Sequence, residues 1–186
     1  ENPSTPPAAL AAVVEHPHTA LRAAVAAHPA TPADALATLA AEVNPAVAAG
    51  VAGNLSAPSD LLSTLAQSPS SEVRHAAAAN PALDPTALHE LAMGDVSEGD
   101  DAHDVEEPSP DVDEAAADIA AAAAANPSVS PASFHALASR GSSRVKVALA
   151  ARADLPGAVQ LMLLTAEDPA VRQAVVRSSS VSSTAL

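Results

Sequence analysis

Four cations recur at one phase of the chain. Lys146 and Arg172 lie 26 residues apart, Arg22 and Arg74 lie 52 apart, and all four fall on the same step of 26 once a 20-residue interruption is set aside. A ladder of such groups along one edge would grip an acidic strip on a partner through charge-assisted hydrogen bonds. The competing reading is a solvated helix face paired with Glu72 or Glu167, where ion pairs contribute little. Ala48 and Ala120 interrupt the column and favour that second reading. The complementary charge is concentrated elsewhere: 11 of the 22 acidic residues lie between Asp95 and Asp118, while six of the eight basic ones lie from Arg140 onward. Asp100, Asp101, Asp104, Glu106 and Glu107 in this acidic stretch are the residues that would dock a basic partner. Like charges, low hydrophobicity and two prolines predict a solvated loop over the insert Asp95 to Glu114. Its sign would also let it fold back on Arg144 and Lys146 of the following unit.

Other reactive side chains do not assemble into a constellation. Asp111 and Asp113 do not continue into the Gly and Glu of a calcium-binding loop. Of the seven histidines, His89 and His135 share one phase and His16 and His18 flank a turn. No third or fourth ligand falls beside either pair, so they read as surface histidines rather than a zinc site. There is no cysteine, hence no disulfide, thiolate zinc site or cysteine-held cluster in this segment. No serine lies in a nucleophile elbow and no Gly-rich phosphate loop is present. Asn54-Leu55-Ser56 matches a glycosylation acceptor but follows no secretory leader. The expectation is therefore a non-enzyme with no catalytic, cofactor or metal residues. A formal charge of −14 argues against nucleic acid, whose phosphates are held chiefly by Lys and Arg. Apolar runs such as Ile119 to Ala125 are far too short to span a membrane.

The elements that carry these residues follow from the repeat itself. An Asn-like residue recurs at Asn2, His28, Asn54 and Asn80 in steps of 26, then, after a gap of 46, at Asn126, Arg152 and Ser178. Taking that residue as unit position 1, position 9 holds Leu10, Leu36, Leu62, Leu88 and Phe134, with Gln160 flanked by Val159 and Leu161 as substitutes. Position 12 holds Val13, Leu39, Leu65, Leu91, Leu137 and Leu163. This i, i+3 pair is one face of a short helix. Position 20 (Leu21, Val47, Val73, Ile119, Val145, Val171) and position 24 (Val25, Val51, Ala77, Ala123, Leu149, Val175) mark a second. Thr5-Pro6, Thr31-Pro32, Asp84-Pro85 and Ser130-Pro131 predict N-cap and N1 of the first segment. Turn pairs such as Asn44-Pro45, Ser68-Pro69 and Asp168-Pro169 separate the two segments, and Asn80 and Asn126 are expected in the left-handed conformation that ends the second. With one Phe and no Tyr or Trp, the core must be Leu, Val and Ala, too shallow for a deep small-molecule pocket.

The pattern Asn-Pro-x-x-x-Pro-x-x-Leu-x-x-Leu-Ala at Asn80 to Ala92, with Val-Arg-x-Ala-x-Ala-x-Asn-Pro at Val73 to Pro81, resembles the leucine-rich repeat variant family; Asp168 to Val176 repeats the second half. The resemblance covers essentially the whole chain except the insert. It implies a right-handed superhelix of alternating α- and 3₁₀-helices without strands, and the Pro-initiated first segment is the one expected to be 3₁₀. The iron–sulfur segment associated with the family has no ligands here and is not carried over. HEAT-like repeats, the nearest competing architecture, have units nearer 40 residues.

The fold expected is thus an all-α right-handed solenoid of six 26-residue units, α plus 3₁₀, with a partial seventh. The array spans 1–186, with units at 2–27, 28–53, 54–79, 80–125 (insert about 95–114), 126–151 and 152–177, and the remainder at 178–186. Its expected function is a non-catalytic scaffold binding another protein; the alternative is a regulatory or positioning segment of a larger enzyme or membrane-anchored protein. The start at Glu1 and the stop at Leu186 within a unit read as a fragment. Abundant Ala, Pro and Arg suggest a bacterial, cytoplasmic protein.

Overall fold

The computed structural model describes residues 5–94 and 110–183, with side chains over 5–94 and 114–178. All regular structure among them is helical. The elements are α1 (Pro7–Ala12), α2 (Thr19–Ala27), α3 (Ala33–Ala40), α4 (Pro45–Ala52), α5 (Ser59–Leu65), α6 (Ser71–Ala79), α7 (Pro85–Met93), α8 (Pro110–Ala125), α9 (Phe134–Arg140, preceded by a 3₁₀ turn at Pro131–Ser133), α10 (Ser143–Ala150), α11 (Gly157–Leu164) and α12 (Pro169–Ser183). Odd-numbered helices are the first segments of the repeat and even-numbered ones the second. The chain forms two compact units, one up to Ala87 and one from Leu88, so α7 straddles the division.

Both segments are α-helical, which corrects the expectation of an α/3₁₀ alternation. The amides of Leu10, Leu36, Leu62 and Gln160 bond the carbonyls four residues back, at Pro6, Pro32, Pro58 and Pro156 (3.0–3.2 Å). Ala and Leu dominate these segments and are the best α-formers, whereas 3₁₀ geometry eclipses i and i+3 and strains the hydrogen bond. The 3₁₀ form is confined to the turn ahead of α9 and to Gly94 among the described residues. The capping scheme holds at two sites and shifts at two. Asp84 Oδ1 accepts from Thr86 N (2.8 Å) and Ser130 Oγ from Ala132 N (3.3 Å), with Pro next in each case. By contrast Pro6 and Pro32 are themselves the N-caps, with ψ of 140° and 150°. The Thr31 hydroxyl turns inward and donates to Val25 O at 2.5 Å.

In the first compact unit α4 packs between α2 and α6, with α3 against α4 and α5 against α6; in the second α10 packs between α8 and α12, with α9 against α10 and α11 against α12. The repeat columns form the core. Leu36, Leu62 and Leu88 at position 9, Leu39, Leu137 and Leu163 at position 12, Val47, Val145 and Val171 at position 20, and Val51, Ala77 and Leu149 at position 24 are all fully buried. Val159 is buried beside Gln160 as expected, but Leu161 is exposed. Val13 and Leu91 are only half-buried, and Val14 takes the core place beside Val13. A further column was not anticipated: position 4, Thr31, Ala57, Leu83, Val129 and Leu155, is buried in the turn that opens each unit. Small side chains let the second helices approach closely. A Cβ on Gly50 would lie 3.0 Å from both Ala23 O and Ala26 Cβ.

The boundary residues do more than end a helix. Asn80 has φ −78° and ψ 121°, extended rather than left-handed. This backbone turns the side chain back across the preceding unit. Asn54 Nδ2 donates to Ala26 O (2.7 Å) and His28 O (2.9 Å), and Asn80 Nδ2 to Ala52 O (2.8 Å) and Asn54 O (2.9 Å). Meanwhile their Oδ1 atoms accept the amides of Ser56 (2.8 Å) and Ala82 (2.9 Å), two residues on. Asn126 Oδ1 accepts Ser128 N (2.9 Å), and His28 Nδ1 takes the same role toward Ala30 N (3.1 Å). In the second unit Arg152 Nη1 reaches Ala124 O (3.3 Å) and Asn126 O, and Ser178 Oγ reaches Arg152 O (3.5 Å). Asn54, Asn80, Arg152 and Ser178 thus fasten their units to the one 26 residues earlier.

Two boundaries of the expected scheme move. Helix α8 begins at Pro110, so the last five residues assigned to the loop are helical; the rest of the insert, with Asp100, Asp101, Asp104, Glu106 and Glu107, lies outside the described residues. Helix α12 runs through Ser178 without a break. Ser178 is followed by Ser179 rather than Pro, so the chain keeps the amide that continues a helix.

Candidate interaction surface

The cation column resolves into an internal clamp. Arg74 Nη1 donates to Ser68 O (2.8 Å) and Pro69 O (3.0 Å), and Arg172 Nη1 to Ala166 O (2.6 Å) and Glu167 O (2.7 Å). Arg22 Nη1 donates to His16 O (2.6 Å). All three turn back from the first turn of a second helix to the connection after the first helix of the same unit. There they satisfy carbonyls of the connecting turn, which lie beyond the helix and have no place in its hydrogen-bond ladder. Arg22 also grips Glu42 of the next unit, with Nε 2.9 and 3.0 Å from its two carboxylate oxygens and Nη2 at 2.9 Å. The carboxylates of Glu72 and Glu167 form no ion pair with the column among the described residues; Glu167 takes part through its carbonyl. Lys146 is half-buried, and its ammonium group has no hydrogen-bond or ion-pair partner among the described residues. Three of the four proposed partner-gripping cations are therefore already engaged within the fold.

The acidic side has one described foothold. Arg144 Nη2 lies 3.1 Å from Glu114 Oε1, and Nη1 pairs with Asp118. The hydrogen bond that Arg144 donates to Glu114, the last insert residue, and the charge of Asp118 push the guanidinium pKa up. Glu114 and Asp118 both lie on α8 and Arg144 on α10, so this is a contact between packed helices; the expected fold-back of the insert onto Arg144 and Lys146 lies outside the described residues.

Histidines separate by environment. His16 and His18 lie side by side with ring centroids 5.1 Å apart and planes tilted by 38°. His135 is exposed and His89 half-buried, its Nδ1 enclosed without a hydrogen-bond partner among the described residues. His28 corrects the surface assignment, being 4% exposed at a unit boundary. Among the described residues no three His, Asp or Glu side chains converge as metal ligands. Asn54, the nominal glycosylation acceptor, is buried with its amide nitrogen donating to two carbonyls.

What remains open is the face of the first helices. Successive grooves run between α1 and α3, lined by Ala11, Ala12, Glu15, Asp34 and Thr38, and between α3 and α5, lined by Ala37, Pro58, Asp60, Leu61 and Thr64. Asp34 borders both, and α1, α3 and α5 carry no Lys or Arg. The linings mix apolar with acidic and hydroxyl groups and are shallow and open, suited to a polypeptide segment rather than an enclosed small molecule. Sequence periodicity concealed this face because position 7, Asp34 and Asp60, belongs to no core column. No protein-family model, curated protein or solved structure matches the chain. No described helix is long and apolar enough to cross a membrane.

Proposed function

We propose that the chain is a right-handed solenoid of 26-residue units, related to the leucine-rich repeat variants through its Asn-Pro and Leu-x-x-Leu phases, and that it is a non-catalytic scaffold binding another protein. The observation that carries this is the pair of in-line, cation-free grooves on the first-helix face, which share Asp34. The second helices are spent on stacking against one another, so the first-helix face is the surface left for recognition. Its acidic rim fits a basic, partly apolar segment rather than nucleic acid. The two-α-helix unit brings it nearer to HEAT-like repeats in local structure, with a much shorter period. A bacterial source, which rests on composition, and a cytoplasmic setting belong to the same proposal.

The test is affinity capture from the source organism's lysate with the intact chain, an Asp34→Lys/Asp60→Lys variant and a variant lacking residues 95–109. A protein held by the intact and deleted forms but lost with the charge reversal supports the groove reading. One lost only on deletion moves recognition to the acidic insert. Equal capture by all three overturns both.

A further inference from the structure

We propose that the grooves on the first-helix face bind a polyproline-II segment carrying Lys or Arg at i and i+3. This rests on the groove reading above and adds the register of its partner. Two adjacent units share a side-chain pair that no core column requires. At unit positions 7 and 11 stand Asp34 and Thr38 on α3, and Asp60 and Thr64 on α5, all four exposed. No other unit holds Asp at the first of these positions or Thr at the second; the phase passes to Ala8 and Ala12 before and to Thr86 and Glu90 after. The first pair lines the groove between α1 and α3, and the second lines the groove between α3 and α5.

The chemistry of each pair is one-sided. Thr38 Oγ1 donates to Asp34 O (3.0 Å) and Thr64 Oγ1 to Asp60 O (3.1 Å), so both hydroxyl protons are spent within the helix and only acceptor capacity is left. With the two carboxylates, each rung offers acceptors alone, and an ammonium or guanidinium supplies the donors. Spacing then selects the conformation of the partner. Helices α3 and α5 are in contact, and packed helices lie about 8–10 Å apart, which sets the step from one rung to the next. A polyproline-II chain has about three residues per turn and rises about 3.1 Å per residue, so i and i+3 return to one side after about 9 Å. A β-strand alternates sides and points i and i+3 apart. A helix brings i and i+7 to one face after about 10.5 Å, but its diameter of about 10–12 Å holds it above a shallow groove. Between the cations, Pro58 and Leu61 give the segment apolar contact. The only Phe, Tyr or Trp of the chain is Phe134, buried in the second compact unit, so the acceptor rungs set the register in place of aromatic clamps.

The experiment is a low-salt NMR titration of the isotope-labelled intact chain. The probes are synthetic peptides of one composition, Pro and Ala with two Lys at i, i+2, at i, i+3 or at i, i+4, and a stapled helical peptide with Lys at i, i+7. The expected result is amide shifts centred on α3 and α5, with the i, i+3 peptide bound about fivefold more tightly than either permutation, the size of one exposed ion pair. That advantage should vanish in Asp34→Asn and in Asp60→Asn, with far-ultraviolet circular dichroism unchanged. Tighter binding of the helical peptide, or equal binding of all three spacings, overturns the register and leaves the groove standing as an interaction surface. A chain whose α3 and α5 amides respond to no peptide also overturns it, and the charge-reversal capture then judges the groove reading by itself.

Discussion

A carboxamide can donate and accept at once, and the boundary asparagines use both halves. Replacing Asn54 by Ala would strand the Ala26 carbonyl and the Ser56 amide, while His28 O keeps the Thr31 amide at 3.0 Å. The expected cost is about 1–3 kcal/mol in urea unfolding. Asn54→Asp should be worse than Ala at neutral pH, because it keeps the acceptor but sets a buried carboxylate against two carbonyls. The Arg152 boundary adds charge: Nε and Nη2 bond the two Asp154 oxygens at 2.9 and 2.8 Å, and the guanidinium carbon lies 5.0 Å from the Phe134 ring centre. The hydrogen bond from Arg152 holds the Asp154 carboxyl below its ordinary range. A depressed folded-state pKa means that this contribution is present above the unfolded value and is lost as pH falls through the folded one. Acid titration of unfolding midpoints should therefore be shallower in Asp154→Asn than in the parent, at the acid end only.

Helix packing sets larger penalties, and they can be ranked. Leu39→Ala, at a fully buried position, should cost about 2–5 kcal/mol in denaturant unfolding, and Leu91→Ala, half-buried, should fall at or below the low end. Gly141 has an ordinary φ of −65°, so its constraint is space: a Cβ there would lie 2.5 Å from Leu137 O and 2.6 Å from Val145 Cγ1. Gly141→Ala should destabilise by about 1–3 kcal/mol, read as a lowered unfolding midpoint. Periodicity exposed most of this layer to sequence reading, since Leu, Val and Ala at fixed phases have little to do but pack. It could not reveal position 4, where Thr31, Ala57 and Leu83 differ in chemistry and share only burial in a turn. Nor could it separate α from 3₁₀ in the first segments, where a Pro start and an i, i+3 pair suit either helix. The arginine clamp was legible as a column but not as a clamp, because its partners are backbone carbonyls that every residue offers.

Within each compact unit a second helix leans mainly on the second helices one repeat away and then on its own first helix, so damage should stay local. Hydrogen exchange of Leu39→Ala should rise in α2, α3 and α4 while α10 and α12 keep their protection; uniform loss would indicate one all-or-none core. The same organisation separates places where length matters from places where it does not. A boundary asparagine measures out the chain, because its amide must meet carbonyls 26 and 28 residues behind it. The connection between the two helices of a unit carries no arginine clamp where Ala48 and Ala120 stand in the cation column, and the 20 additional residues enter at the second of these, between α7 and α8. Its counterpart between α3 and α4 carries Val43, fully exposed. Foreign sequence spliced into that counterpart should be carried as cargo, whereas one residue added between His28 and Asn54 on the boundary side would pull that rung out of register with Ala26 and His28 while later rungs keep their own spacing.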